Sequence, residues 1–217
     1  MSHDLIDSTE MYLRTVLELE EEGIPALRAR LSERLGLSPP SVSEGVARLE
    51  TQGLLRLGAD RRVELTDAGR EWATHVMRKH RLAERLLCDV IGLEAEHLHD
   101  EACRWEHVIS DRVADKLASL LHNPVTSPYG NPIPGAGAAQ VEIVPLATAL
   151  PGRVVLHSIS ESLQSDAEVI GPLHAAGVWA GTEVEVHADG DEVILSTGDQ
   201  QVPIPVDAAR LIYVRAD

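Results

Sequence analysis

The densest chemistry in this 217-residue chain lies between residues 80 and 107. His99 and Cys103 are four residues apart, as are Cys103 and His107, and Glu106 follows Cys103 by three. On a helix, steps of three and four return side chains to one face, so imidazole, thiolate and carboxylate would gather there. His80 and Glu84 repeat the four-residue step upstream. Helical bundles build metal sites by turning such donors toward each other from adjacent antiparallel helices. Thiolate and thioether are soft donors and imidazole is borderline, which suits Fe(II), Co(II), Ni(II) or Zn(II) better than Mg(II) or Ca(II). Spacing alone leaves a second reading open, with His97, His99 and His107 as surface histidines and Cys103 in the core.

Other chemistries find less support. The chain has no G-x-S-x-G, P-loop, H-E-x-x-H or C-x-x-C motif. A metal site with an open position can activate water, yet no separate general base stands beside this one. A metal-dependent enzyme or a metal buffer is therefore the weaker alternative to a regulator, and no catalytic role is assigned. Cys88 and Cys103 are too few for a disulfide framework in a chain of this length. In a reducing cytosol each reads as a small hydrophobe or a metal ligand.

The elements that would position these donors follow from periodicity and punctuation. Asp7 or Ser8 can cap a first helix whose apolar stripe is Met11, Leu13, Val16, Leu17 and Leu19, and Gly23 stops it. Pro25 opens a second helix that ends at Gly36. Ser38 caps a third, with Pro39 and Pro40 in its first turn, where no N–H is needed. Two short strands joined at Ala59-Asp60 end at Thr66. This order is that of a winged helix-turn-helix, in which the third helix enters the major groove and the hairpin flanks the backbone. A long amphipathic helix then runs from Thr66 to Gly92, and a second from Asp100 to Leu121. Leu86, Leu87, Val90, Ile91 and Leu93 cluster between them as an expected homodimer interface. Residues 123–140 are rich in proline and glycine and read as a linker or an ordered loop. Short alternating strands and one helical stretch follow, a small β-barrel of SH3 type by strand count.

The expected architecture is multidomain α+β: residues 1–73 a winged-helix DNA-binding domain, 74–140 a helical dimerisation and metal-binding domain, and 141–217 an SH3-like domain. With no Phe, its cores must be filled by Leu, Val, Ile and Ala. A formal net charge of −16 looks unfavourable for a DNA binder. Residues 141–217, however, carry twelve acidic against three basic side chains, whereas seven arginines between Arg28 and Arg62 face only Glu33, Glu44, Glu50 and Asp60. A local basic surface survives, with weak and salt-dependent non-specific affinity expected. No apolar run approaches a membrane span and the start lacks a signal-peptide segment, so a cytoplasmic protein is expected.

The chain resembles the diphtheria-toxin-repressor family of iron-dependent regulators, in particular its actinobacterial members with a C-terminal SH3-like domain. The likeness is carried by STEMYLRT (8–15), LRAR (27–30), VMRKHRLAERLL (76–87), HDEACRWEHV (99–108) and SPYGNPIPG (127–135). It implies a primary, regulatory metal site at Met11, Cys103, Glu106 and His107. It implies an ancillary site at His80, Glu84 and His99, completed by Glu161 and Gln164 of the C-terminal domain. Arg81, Ser127 and Asn131 match positions that hold an anion beside the ancillary site. Ser38, Pro40, Ser41 and Ser43 match DNA-contacting positions, and Arg28, Ala29 and Arg61 match backbone-contacting ones. Glu44 departs from the pattern, standing where the family has Gln; a carboxylate is unfavourable near phosphates but can accept from cytosine N4.

Taken by itself Met11 would read as a buried core methionine. As a ligand it would couple the DNA-binding domain to the dimerisation domain. Met rather than a carboxylate there favours iron over manganese. The resemblance thus implies an Fe(II)-activated homodimeric repressor on a palindromic operator, with one or two dimers per site. Co(II), Ni(II), Zn(II) and Mn(II) are expected to substitute in vitro. A manganese-responsive regulator of the same family is the nearest alternative.

Overall fold

The computed structural model describes residues 8–139, 141–149 and 151–216. Helix α1 (Ser8–Glu21) opens it, and of its two candidate caps Asp7 lies outside the described residues. Leu13, Val16, Leu17 and Leu19 are buried as the stripe requires. Helix α2 (Arg28–Leu35) starts at Arg28, three residues later than expected. The reason lies in the preceding turn: Leu27 N–H donates to Pro25 O at 2.8 Å, and Ala26 O accepts from Val63 N–H at 2.8 Å. A segment tied to the hairpin in this way is not free to begin a helix. Helix α3 (Pro39–Thr51) is capped by Ser38, whose hydroxyl accepts from Ser41 N–H, with prolines in the first turn. It crosses α1 at Gly45, where a Cβ would stand 2.4 Å from the Tyr12 hydroxyl, so the ring needs glycine beneath it.

Strands β1 (Leu55–Leu57) and β2 (Val63–Leu65) pair antiparallel, Leu55 opposite Leu65. They close an aliphatic core of Leu13, Val16, Leu31, Val42, Val46 and Leu49. Each such leucine contributes roughly 1.5–3 kcal/mol on burial.

Helix α4 (Asp67–Leu86) is capped by Thr66, whose hydroxyl accepts from Gly69 N–H at 3.1 Å. It continues as a π-helical turn, Leu87–Ile91, and stops at Gly92, whose φ is 74°. The expected second long helix is two: α5 (Ala95–Trp105) and α6 (Asp111–Leu120). Ser110 makes the break, because its hydroxyl caps α6 by accepting from Val113 N–H, and a serine satisfied as a cap favours a new helix start. The apolar cluster expected near the turn also divides. Leu87 is buried and Leu86 and Leu93 are half-buried, while Val90 and Ile91 are exposed together with Val108, Val113 and Leu120.

Of the proline-rich segment, residues 123–139 form an ordered loop, and Gln140 lies outside the described residues. Ser127, Tyr129, Asn131 and Ile133 are buried, and the Tyr129 hydroxyl donates to Ala95 O at 2.6 Å. At Gly130, with φ 90°, a Cβ would meet His157 O at 2.0 Å, so the loop presses against the C-terminal sheet.

That sheet consists of β3 (Ile143–Pro145), β4 (Gly152–Ile159), β5 (Glu183–Asp189), β6 (Glu192–Thr197), β7 (Gln200–Pro205) and β8 (Ile212–Arg215). It is antiparallel in the order β3-β8-β4-β5-β6-β7. The helical stretch expected within it resolves into a 3-10 turn, Glu161–Leu163, and helix α7 (Ala167–Ala175) capped by Asp166; α8 (Val206–Ala209) precedes β8. Leu156, Val184, Val193 and Leu195 share one core with Ala83, Leu87, Leu98 and Ala102 of the helical region. This shared core carries the Glu161–Leu163 turn onto α4 and α5. No helix among the described residues is long and apolar enough to cross a membrane.

Candidate functional site

Helix α4 presents His80, Arg81 and Glu84 inward, α5 presents His99 and Cys103, and the 3-10 turn delivers Glu161 and then Gln164. One ligand atom from each of His80, Glu84, His99 and Glu161 lies within 4.8 Å of the others, and all four residues are buried. His80 Nε2 donates to Glu84 Oε1 at 2.9 Å, and His80 Nδ1 to Glu106 Oε2 at 2.7 Å. His99 Nδ1 donates to Gln164 Oε1 at 3.0 Å, while its Nε2 faces Cys103 Sγ at 3.4 Å. A ring whose two nitrogens both donate is an imidazolium. Burial opposes that charge, but Glu84 and Glu161 outweigh it at His80 and raise its pKa well above the ordinary value. At His99 burial is likewise outweighed, by Cys103, Glu161 and Glu84, and its pKa too is raised. Glu161 is held well below the carboxylate range against burial, by Arg81 and His80.

Two oxygens of this cluster, Glu84 Oε2 and Glu161 Oε2, are buried and accept no hydrogen bond. Glu161 Oε2 pairs by charge with both His80 Nε2 and His99 Nδ1, each at 3.3 Å, without an aligned hydrogen bond to either. Unsatisfied buried carboxylate oxygens are costly. Once each ring gives up a proton, two imidazoles and two carboxylates form a donor set that fits a divalent cation.

The other expected set is arranged differently. Met11, Cys103, Glu106 and His107 line one cleft of about 1000 Å³, while the Cys103 sulfur gathers with the His80 and His99 nitrogens, all within 4.8 Å of one another. Arg14 of α1 stands among them: its Nη1 donates to Cys103 Sγ at 3.3 Å and to Glu106 Oε2 at 2.9 Å. Glu106 follows the end of α5, and His107 Nε2 lies 3.3 Å from Glu106 Oε1 while its Nδ1 donates to Glu10. Met11 is 38% exposed at the rim, so it is not a core methionine. His97 is exposed, His99 buried and His107 half-buried, so the surface reading holds only for His97. Burial resists ionisation of Cys103, yet the Arg14 guanidinium and hydrogen bonds with His80 and His99 pull its thiol down to about 5. Burial pushes Cys88, by contrast, up to about 11. Cys103 is thus the thiolate at neutral pH and Cys88 the inert thiol.

Arg81 is fully buried and its donors are occupied: Nε donates to Glu161 Oε1 at 3.0 Å, Nη2 to Glu21 Oε2 at 2.5 Å, and Nη1 to Pro132 O. Ser127 and Asn131 lie close by in their own network, in which Gln164 Nε2 donates to Asn131 Oδ1 at 3.0 Å. The structure therefore unites Arg81 with Glu161, and Asn131 with Gln164, and an anion would have to displace carboxylates to reach Arg81.

On the winged helix, Ser38, Pro40, Ser41, Ser43 and Glu44 are all exposed along the first half of α3. Arg61 is exposed at the hairpin tip with φ 66°, and Ala29 is exposed at the start of α2, beside the half-buried Arg28. Nearby Arg30, Arg34, Arg56 and Arg62 pair with Glu33, Glu22, Glu64 and Asp60. Among the described residues no carboxylate pairs with Arg28 or Arg61, which leaves these two cations for an outside anion.

Nothing in the sequence spacing marks Arg14, Glu10, Glu18 and Glu21 as site residues. The available signal was the run Glu10, Arg14, Glu18 at four-residue steps, which looks like a solvated face. Here Arg14 Nε instead donates to a buried Glu18 at 2.7 Å.

Residues 4–63 match the iron dependent repressor N-terminal DNA binding domain, 66–135 the iron dependent repressor metal binding and dimerisation domain, and 139–216 the diphtheria toxin repressor SH3 domain. The chain is 46% identical to the iron-dependent repressor IdeR of Mycobacterium leprae, over 98% of each chain. It is 45% identical to the diphtheria toxin repressor of Corynebacterium diphtheriae, over 97% of this chain and 98% of that one. Among solved structures, a manganese-dependent transcriptional repressor in complex with manganese superposes with a TM-score of 0.81 at 28% identity, covering 96% of this chain and all of the other. IdeR of T. acidophilum superposes at 0.75 and 26% identity, over 96% and 97%. A DNA-binding domain, a metal-binding and dimerisation domain and an SH3 domain, each matched in order along the chain, place this protein in the family of iron-dependent, DNA-binding transcriptional repressors.

Proposed function

We propose that the chain is an Fe(II)-activated homodimeric repressor that binds palindromic operators of iron-homeostasis genes. The observation that carries this reading is the cleft in which Met11 of the DNA-binding region faces Cys103, Glu106 and His107 of the helical region. An ion held there would supply one positive centre shared by two domains. Cys103 and Glu106 bring two negative charges to it, and the thioether of Met11 favours iron over harder ions. His80, Glu84, His99, Glu161 and Gln164 form the ancillary set, and because Glu161 and Gln164 belong to the SH3 domain, filling this set clamps that domain to α4 and α5. His80 belongs to both clusters through its bond to Glu106.

Helix α1 packs on α3 through Tyr12 and Gly45, so whatever fixes α1 also fixes the helix carrying Ser38, Pro40, Ser41, Ser43 and Glu44. Those side chains would read the major groove, with Arg28, Ala29 and Arg61 against the backbone. The exposed Val90, Ile91, Val108, Val113 and Leu120 supply an apolar face for a second copy. A manganese-responsive regulator is the second reading, favoured by the manganese-bound solved relative. Selection from random duplexes under anaerobic Fe(II) tests the proposal. It should enrich an inverted repeat that is retained with Fe(II) and released by chelator. Enrichment only when Mn(II) replaces Fe(II) in the selection would favour the second reading, and no enriched sequence with either ion would exclude both.

A further inference from the structure

Arg14 reaches into the regulatory cluster although it belongs to neither expected ligand set. It leaves α1 three residues after Met11, hence on the same side of the helix. Its Nη1 contacts Cys103 Sγ at 3.3 Å and both Glu106 oxygens at 3.0 and 2.9 Å. Glu18 holds its Nε at 2.7 Å from the other side. The side chain is only 15% exposed and Glu106 only 2%. A guanidinium therefore supplies the thiolate and the carboxylate with the positive charge that a divalent ion would otherwise bring. Arginine does not lose its proton in proteins, so this charge can leave the site only by moving. At such short range and in a low-dielectric surrounding, two cations on the same pair of donors repel strongly.

We propose that Arg14 is the resident counter-cation of the regulatory site, and that an activating ion must displace its guanidinium from Cys103 and Glu106. This rests on the reading of Met11, Cys103, Glu106 and His107 as one ligand set. Because Met11 and Arg14 share a helix, one displacement of α1 can exchange guanidinium for thioether against the same two donors. Two discrete arrangements result, one held by arginine and one by the ion, and the ion shifts their balance by its differential affinity. Arg14 then sets the ion concentration at which the protein responds, a role for charge rather than for shape.

The test is an anaerobic Co(II) titration of the full chain, read by the thiolate-to-cobalt absorption band, which counts only ions bound to Cys103. Arg14→Gln and Arg14→Met remove the charge, and Arg14→Lys keeps it. The neutral variants should bind Co(II) roughly tenfold more tightly than the unaltered chain, and the lysine variant within about threefold of it. Melting in chelator should fall for the neutral variants, which leave two anions without a counter-charge, whereas melting in saturating Co(II) should stay near that of the unaltered chain. A structural role alone would weaken binding in all three variants. Neutral variants that keep the band but bind no more tightly would overturn the proposal and leave the ligand reading standing. If the unaltered chain showed no thiolate band, Cys103 would not be a ligand and both would fall.

Discussion

The cluster around His80 and the cluster around Cys103 are neighbours joined through His80 and His99, yet they are built in opposite ways. The first is closed: its four principal donors are buried and already within 4.8 Å of one another, with protons on His80 and His99 balancing Glu84 and Glu161. The second is open: its donors lie on two domains along a cleft, and an arginine balances Cys103 and Glu106. Filling a closed cluster exchanges protons for an ion with little movement. Filling the open one, if Met11 and Cys103 are the ligands proposed above, requires α1 to give up Arg14 and bring Met11 inward. One kind of ion can therefore act as a brace in one place and as a signal in the other.

The largest effect expected from breaking this contrast is on the closed side. Arg81→Met leaves Glu21 and Glu161 without their shared partner, and loss of one member of such a buried pair costs about 3–5 kcal/mol. Urea unfolding in chelator should show this loss, and a smaller one with ion present, since the ion also faces Glu161. On the open side, Cys103→Ala should leave unfolding in chelator within about 1 kcal/mol of the unaltered chain. It should nevertheless abolish the ion-dependent gain in operator affinity, on the order of 100-fold. A large stability loss there, or a retained gain, would erase the distinction.

His99→Ala should cost about tenfold in ion affinity at the ancillary cluster and less at the operator, whereas His80→Ala should weaken both clusters. An unchanged thiolate band and affinity at Cys103 in His80→Ala would deny His80 its bridging role.

The clusters should also respond to pH with a defined sign. His80 and His99 have pKa values raised above the ordinary imidazole value of 6.5, so their stabilisation of the ion-free fold is full below that value and is lost as pH rises through the raised ones. Glu84 and Glu161 are lowered from 4.5, so their contribution is present above that value and lost as pH falls. Between about pH 6.5 and 8.5, melting in chelator should therefore fall while ion affinity rises, because bound protons no longer compete. Parallel trends would contradict the exchange of protons for ion. The smallest expected effect is at the DNA surface: Arg28→Ala should reduce the slope of log affinity against log salt by about 0.9 without changing the preferred sequence.

Much of this was legible in the sequence because helices convert spacing into proximity. Steps of three and four brought His80 to Glu84 and His99 to Cys103, and Ser38, Thr66 and Gly92 punctuated the chain where expected. The break before α6 is hidden in the sequence because Cys103, Glu106 and His107 keep a helical rhythm up to it, and Ser110 competes only locally. Glu161 and Gln164 could be named through family likeness but not through spacing, since a whole loop and sheet intervene before they meet His99. The role of Arg14 is not visible in the sequence because an i, i+4 charge run looks the same whether water or a thiolate lies beyond it; only packing tells the two apart.

The most direct measurement is the equilibrium affinity for a selected operator, taken anaerobically with saturating Fe(II) and again with the ion stripped by chelator. Affinity at least ~100-fold higher with the ion is expected if one cation joins α1 to the end of α5. Equal affinity in the two conditions would contradict metal-driven repression outright.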